Sequence, residues 1–118
     1  MIVEERIYRI RNGCMGRYLQ LVREEGLAIQ QPILGGLVGY FTSDIGPLSQ
    51  VTHWWAYADL QDRARRRQQL ADDPRWQAFL PRLSENIEQA ENRILVPTDF
   101  SPLQHLSRSA GSHEEKRL

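Results

Sequence analysis

Side chains of the first ten residues alternate. Ile2, Glu4, Arg6, Tyr8 and Ile10 fall on one face of an extended segment, and Val3, Glu5, Ile7 and Arg9 fall on the other. This predicts a first strand over residues 2–11. Beyond the turn marked by Gly13 the period changes: Met15, Tyr18, Leu19 and Val22 recur at helical spacing, with Arg17, Arg23 and Glu24 turned towards water. Gly26 is positioned to cap that helix in the left-handed conformation. Residues 27–36, with Pro32 and the Gly35-Gly36 pair, read as irregular with room for one more helical turn.

Residues 37–42 and 51–57 are rich in β-branched and aromatic side chains and flank the turn-forming stretch Ser43 to Ser49, which predicts an antiparallel hairpin. From Leu60 the pattern is helical and charged. Asp73-Pro74 then supplies an N-cap followed by proline at the first helical position. Trp76, Phe79, Leu80 and Leu83 form an apolar stripe on that second helix, and Pro81 is expected to strain its last turns. A last strand is expected over about residues 88–96.

The order β, α, β, β, α(α), β is the split βαβ arrangement of an α+β, ferredoxin-like fold with a four-stranded antiparallel sheet. Its helices cover one face of the sheet. Alternation on the third strand puts Val51, His53, Trp55 and Tyr57 on one side and Thr52, Trp54, Ala56 and Ala58 on the other, so both faces carry aromatics too large to leave in water. Face-to-face pairing of two sheets covers the second face and encloses a space between protomers, which predicts a homodimer.

Bulk properties narrow the partners. Fifteen Lys and Arg balance fifteen Asp and Glu, so there is no net positive field to hold a nucleic acid. No apolar run reaches the roughly 20 residues a membrane helix needs, and the charged start Met1 to Arg6 does not resemble a signal peptide, so no membrane insertion is expected. The single cysteine, Cys14, has no internal partner and suits a reducing, cytoplasmic location. Residues 1–103 form the expected domain, and the polar stretch 104–118 reads as a C-terminal tail.

Four strings now carry a resemblance. Glu4 to Ile10 with Gly13, Leu37 to Phe41 with Ile45-Gly46-Pro47, His53 to Tyr57, and Glu91 to Leu95 occur in an order and spacing similar to those of a NIPSNAP-family domain. The likeness spans residues 2–103. It implies a dimeric α/β barrel built from two ferredoxin-like halves. It implies little chemistry: relatives are linked to mitochondrial and vesicle-associated roles, and the wider barrel superfamily includes cofactor-free monooxygenases, isomerases and haem proteins.

The candidate chemistry gathers on two strands. His53 is the sole histidine before the tail and the side chain best suited to acid or base work near neutrality, which makes it the candidate catalytic residue. Arg6 and Tyr8 on the first strand and Trp55 and Tyr57 beside His53 on the third are the candidate ligand-binding residues: arginine for a carboxylate or enolate, tyrosine for a carbonyl, aromatic walls for an apolar body. The alternative is that Arg6 pairs with Glu4, Glu91 or another carboxylate while the aromatics fill space. On the last strand Asn92 lies on the side opposite Glu91 and Arg93, and one side could reach the cavity. Arg63, Arg65, Arg66 and Arg67 read as a solvated helix face. His53, His105 and His113 are too far apart to form a metal set. No cofactor is expected, although a haem on a single axial histidine stays open. Three functions remain: a dimer that binds a small molecule, a cofactor-independent isomerase or monooxygenase using His53 with Arg6 and Tyr8, and a structural dimer that recruits a partner. Whether the chain is an enzyme stays open.

Overall fold

The computed structural model describes residues 1–103 of the 118, so the expected tail lies outside the described residues. The chain runs β1 (Ile2–Ile10), α1 (Met15–Leu21), a π-helical turn (Val22–Gly26), α2 (Leu27–Leu34), β2 (Gly36–Thr42), β3 (Gln50–Tyr57), α3 (Leu60–Ala71), α4 (Pro74–Ser84) and β4 (Ile87–Leu95). The strands form one antiparallel sheet in the order β2-β3-β1-β4, the topology expected of the split βαβ arrangement. Among the described residues no helix is long and apolar enough to cross a membrane.

The alternation read in β3 appears in its burial. Val51, His53, Trp55 and Tyr57 are buried, and the residues between them are only half-buried. The buried set faces the helices, where Tyr18, Leu21, Leu34, Leu70, Trp76, Phe79 and Leu83 close the core over it. Asp59 and Asp73 cap α3 and α4, their side chains accepting from the backbone N–H groups of Asp62 and Arg75. Pro81 sits inside α4, which continues through it to Ser84.

The region around Gly26 differs from its sequence reading. Gly26 has helical angles (φ −63°, ψ −47°) and caps nothing, and residues 27–34 are helical instead of irregular. The cause is packing. A Cβ on Gly26 would lie 3.2 Å from ring carbons of Phe79, so glycine lets α4 approach the wide turn, where one extra residue is accommodated. The helical run ends at Gly35, whose φ of +88° suits glycine.

Candidate functional site

Pairing of β1 with β3 sets Arg6 opposite His53, Glu4 opposite Trp55 and Ile2 opposite Tyr57, while β4 brings Asn92 to the other side of Arg6. The five residues singled out in the sequence therefore share one sheet face. It is the face covered by helices, so they meet inside one protomer and not in the space between two sheets.

Glu4 is completely buried at the centre of this face. Its carboxylate accepts from Arg6 Nη1 at 2.8 Å, from Arg63 Nε and Nη2 at 3.0 and 2.9 Å, and from Asn92 Nδ2 at 2.7 Å. Burial pushes its pKa up, but the Arg63 and Asn92 hydrogen bonds and the Arg6 charge outweigh that and hold it at about 2. The pairing of Arg6 with Glu4, weighed from sequence as the alternative to a ligand role, is thus present. Arg6 also donates from Nε to the Tyr8 hydroxyl at 2.8 Å.

His53 lies at the middle of an aromatic cluster. Tyr40 stacks on the imidazole at 4.3 Å between centroids, and Tyr8 meets it edge-on at 4.9 Å. The Trp55 indole Nε1–H donates to His53 Nδ1 at 2.7 Å. His53 Nε2 is buried without a hydrogen-bond partner among the described residues. Burial first, then the charges of Arg6 and Arg67, hold the imidazole pKa down to about 3, so the ring is neutral near pH 7. Tyr18 on α1 and Tyr40 on β2 share a short hydroxyl–hydroxyl hydrogen bond, and burial raises the pKa of both. Burial likewise raises that of Tyr57, whose hydroxyl lies in the field of Arg67. Arg6, Tyr8 and Tyr40 are only partly buried, so the cluster extends from the buried imidazole towards solvent.

Two cavities of about 230 Å³ each open elsewhere. One is bordered by Ile7, Arg9, Pro47 and Leu48, the other by Val3, Trp54, Leu95 and Pro97, and neither is lined by the five predicted residues. Among the described residues no cluster of His, Cys, Asp or Glu is arranged to hold a metal.

Sequence reasoning missed Tyr18, Tyr40 and the role of Arg63. The basic stretch of α3 is not a simple solvated face. Arg63 reaches Glu4, Arg66 donates to Asp62 and to the Ile33 carbonyl, and Arg65 pairs with Asp62. The usable signal was spacing, since Arg63 and Arg67 fall on the same helical stripe as the buried Leu70. Tyr40 was hidden by the irregularity between Leu37 and Gly39, which resets the parity of β2.

Comparison with known proteins agrees with this architecture. The NIPSNAP family model matches residues 3–102. The human protein NipSnap homolog 2 is 35% identical over 109 residues, covering 87% of this chain and 35% of its own length. The chain thus spans about a third of that curated relative. A solved NIPSNAP family protein from Agrobacterium tumefaciens is 74% identical, with a TM-score of 0.86 over 86% of this chain and 97% of the other. A solved antibiotic biosynthesis monooxygenase, 12% identical with a TM-score of 0.62 over 83% of this chain and 99% of the other, shares the fold alone. With its ferredoxin-like sheet, the family match across almost every described residue and these close relatives, the chain belongs to the NIPSNAP family.

Proposed function

We propose that the chain works as a cytoplasmic homodimer, paired through the sheet face that its helices leave open, and that each protomer binds a small molecule at the Arg6–His53 cluster. The observation that carries the binding role is His53 Nε2, which together with the Tyr57 hydroxyl on the same face is a buried polar atom without a partner among the described residues, while Arg6 and Trp55 beside it are paired. A buried donor left without an acceptor costs about 1–3 kcal/mol, so an oxygen from a ligand or an ordered water is its natural complement. Arg6, Tyr8 and Trp55 stand around it as binding residues, and Tyr57 follows on the same face two positions beyond Trp55. Pairing is supported by the open face, where Phe41 is 47% exposed and packs against Trp54 at 5.2 Å between centroids.

Binding is favoured over proton abstraction by His53. A general base needs a free lone pair, and the Nδ1 lone pair is engaged by Trp55. The cofactor-independent enzyme remains the second reading, with His53 and Arg6 stabilising charge on a substrate oxygen and not removing the proton. Native mass spectrometry of the purified full chain tests the proposal. The expected species has about twice the 13.7 kDa chain mass and carries a retained small molecule that is lost in His53→Ala. A monomer defeats the pairing. A dimer that keeps the same adduct in His53→Ala defeats the site.

A further inference from the structure

We propose that Trp55 is a positioning residue that fixes His53 as the tautomer protonated on Nε2, and that the site thereby selects ligands presenting an anionic oxygen of the carboxylate or enolate class. The proposal rests on the small-molecule reading above and names the chemistry of its ligand.

An indole N–H can only donate, so His53 Nδ1 must accept the 2.7 Å bond from Trp55 and cannot carry a proton. The neutral ring then bears its hydrogen on Nε2, and protonating it fully would break the indole bond. His53 is 2% exposed and Nε2 finds no acceptor among the described residues, so the imidazole offers one directed N–H inside the cluster. A neutral imidazole used in this way is an electrophile towards an oxygen.

Charge decides which oxygen. Arg6 and Glu4 from β1 and Arg67 from α3 act on the ring, and Arg63 from α3 pairs with Glu4. Burial raises the pKa of Tyr18 from α1 and Tyr40 from β2, so these hydroxyls add no charge to the cluster. Three guanidinium groups thus stand against the single Glu4 carboxylate, while Asp62 is taken up by Arg65 and Arg66. The local excess is positive. Arg6 gives Nε–H to Tyr8 and an Nη1–H to Glu4, which leaves its Nη2 edge for a ligand. A donor N–H beside a surplus of arginine charge favours an oxygen bearing negative charge over a neutral carbonyl and repels a cation.

The test uses the ¹⁵N-labelled full chain and three flat probes of similar shape: benzoate, benzamide and benzylamine. Two-bond ¹H–¹⁵N correlations should show His53 protonated on Nε2 alone and unchanged between about pH 5 and pH 8, the range where an ordinary histidine titrates. Benzoate should shift the Nε2 resonance saturably. Benzamide should bind about tenfold more weakly or worse, the loss of one charged hydrogen bond, and benzylamine should not bind. In Trp55→Phe both tautomers should appear, and benzoate affinity should fall by about the same factor. Should that variant not fold, Arg67→Gln in the intact site should weaken benzoate alone. A proton on Nδ1 in the wild type overturns the tautomer assignment. Equal binding of benzamide and benzoate overturns the anion class while leaving the proposed function standing. If the tautomer is as assigned and none of the probes moves His53, both the anion class and the proposed ligand site fail.

Discussion

Glu4 and Glu5 are neighbours in the chain and opposites in the fold. Glu4 points under the helices, is fully buried, and is held by two arginines and an asparagine. Glu5 points to the open face, where Trp54 Nε1 donates to it at 3.0 Å and Arg93 lies 3.2 Å away with its own side chain 56% exposed. The two faces of one sheet thus use the same residue types for different ends. Under the helices a charge must be fully satisfied, and the whole network is organised around it. On the open face Glu5 lies midway along the central strand β1, with Trp54 and Arg93 as its cross-strand neighbours, and the apolar members Val3, Ile7, Phe41, Trp54 and Leu95 stand on either side of this charged row. One face thus buries a charge within a closed network, and the other mixes apolar side chains with a half-solvated ion pair.

The largest expected effect comes from acid, and its part above about pH 4.5 should arise from the covered face. His53 titrates at about 3 in the folded chain against 6.5 as its ordinary value, mainly because burial disfavours the charged ring. Between those values the unfolded chain binds the extra proton, so stability is complete above about pH 6.5 and falls as pH drops, by about 1.4 kcal/mol per unit and on the order of 5 kcal/mol in all. Glu4, lowered from 4.5 to about 2, adds a loss of the same sign below about pH 4.5. Unfolding free energy from urea titrations at successive pH values should therefore decline from pH 6.5 downward. The decline above pH 4.5 should vanish in His53→Gln. A flat profile there would mean that His53 is solvated in the native protein.

Next in size is removal of the carboxylate itself. Glu4→Ala leaves Arg6 and Arg63 facing each other in a buried site and should cost about 3–5 kcal/mol, whereas Glu5→Ala should cost about 1 kcal/mol or less. Equal losses in the two variants, measured by denaturant unfolding, would erase the distinction between the faces.

Alternation made much of this contrast readable from the chain. The two-residue period in β1 and β3, with the topology that makes those strands neighbours, was enough to place Arg6, Tyr8, His53, Trp55 and Tyr57 together. It could not say which face the helices choose, because each face offers aromatics. Nor could it show that Arg63 turns inward, since a lone arginine on a charged helix carries no mark of the buried carboxylate it will meet. Gly26 misled for a related reason. Locally it resembles a helix stop, and only the distant Phe79 ring explains a glycine within a helix. The parity of β2 was lost at its irregularity, and Tyr40 with it.

On the open face the sharpest test is of assembly. Trp54→Glu sets a second carboxylate opposite Glu5 at the centre of the open face, on the side of the sheet away from the covered core. The proposed homodimer should weaken by at least about tenfold, as expected for a central aromatic. The far-ultraviolet spectrum should stay that of the wild type. Sedimentation velocity over a concentration series measures both arms, and an unchanged dimer would place the interface elsewhere.

The smallest expected effect compares another pair of neighbours, Tyr40 and Phe41, which lie on opposite faces of β2. Tyr40 stacks on His53 and shares its hydroxyl hydrogen bond with the fully buried Tyr18. Tyr40→Phe keeps the stacking ring and removes one oxygen, which strands the Tyr18 hydroxyl in the core. The cost should be about 1–2 kcal/mol, the penalty for an unsatisfied buried donor. Tyr18→Phe should cost about as much. The double variant should lose less than the sum, because removing both hydroxyls leaves no orphan. Phe41→Tyr, by contrast, adds a hydroxyl to a half-exposed ring and should change protomer stability by less than about 0.5 kcal/mol. Additive losses in the tyrosine cycle would mean that the two hydroxyls do not depend on each other, and that the aromatic cluster around His53 is held by ring packing alone.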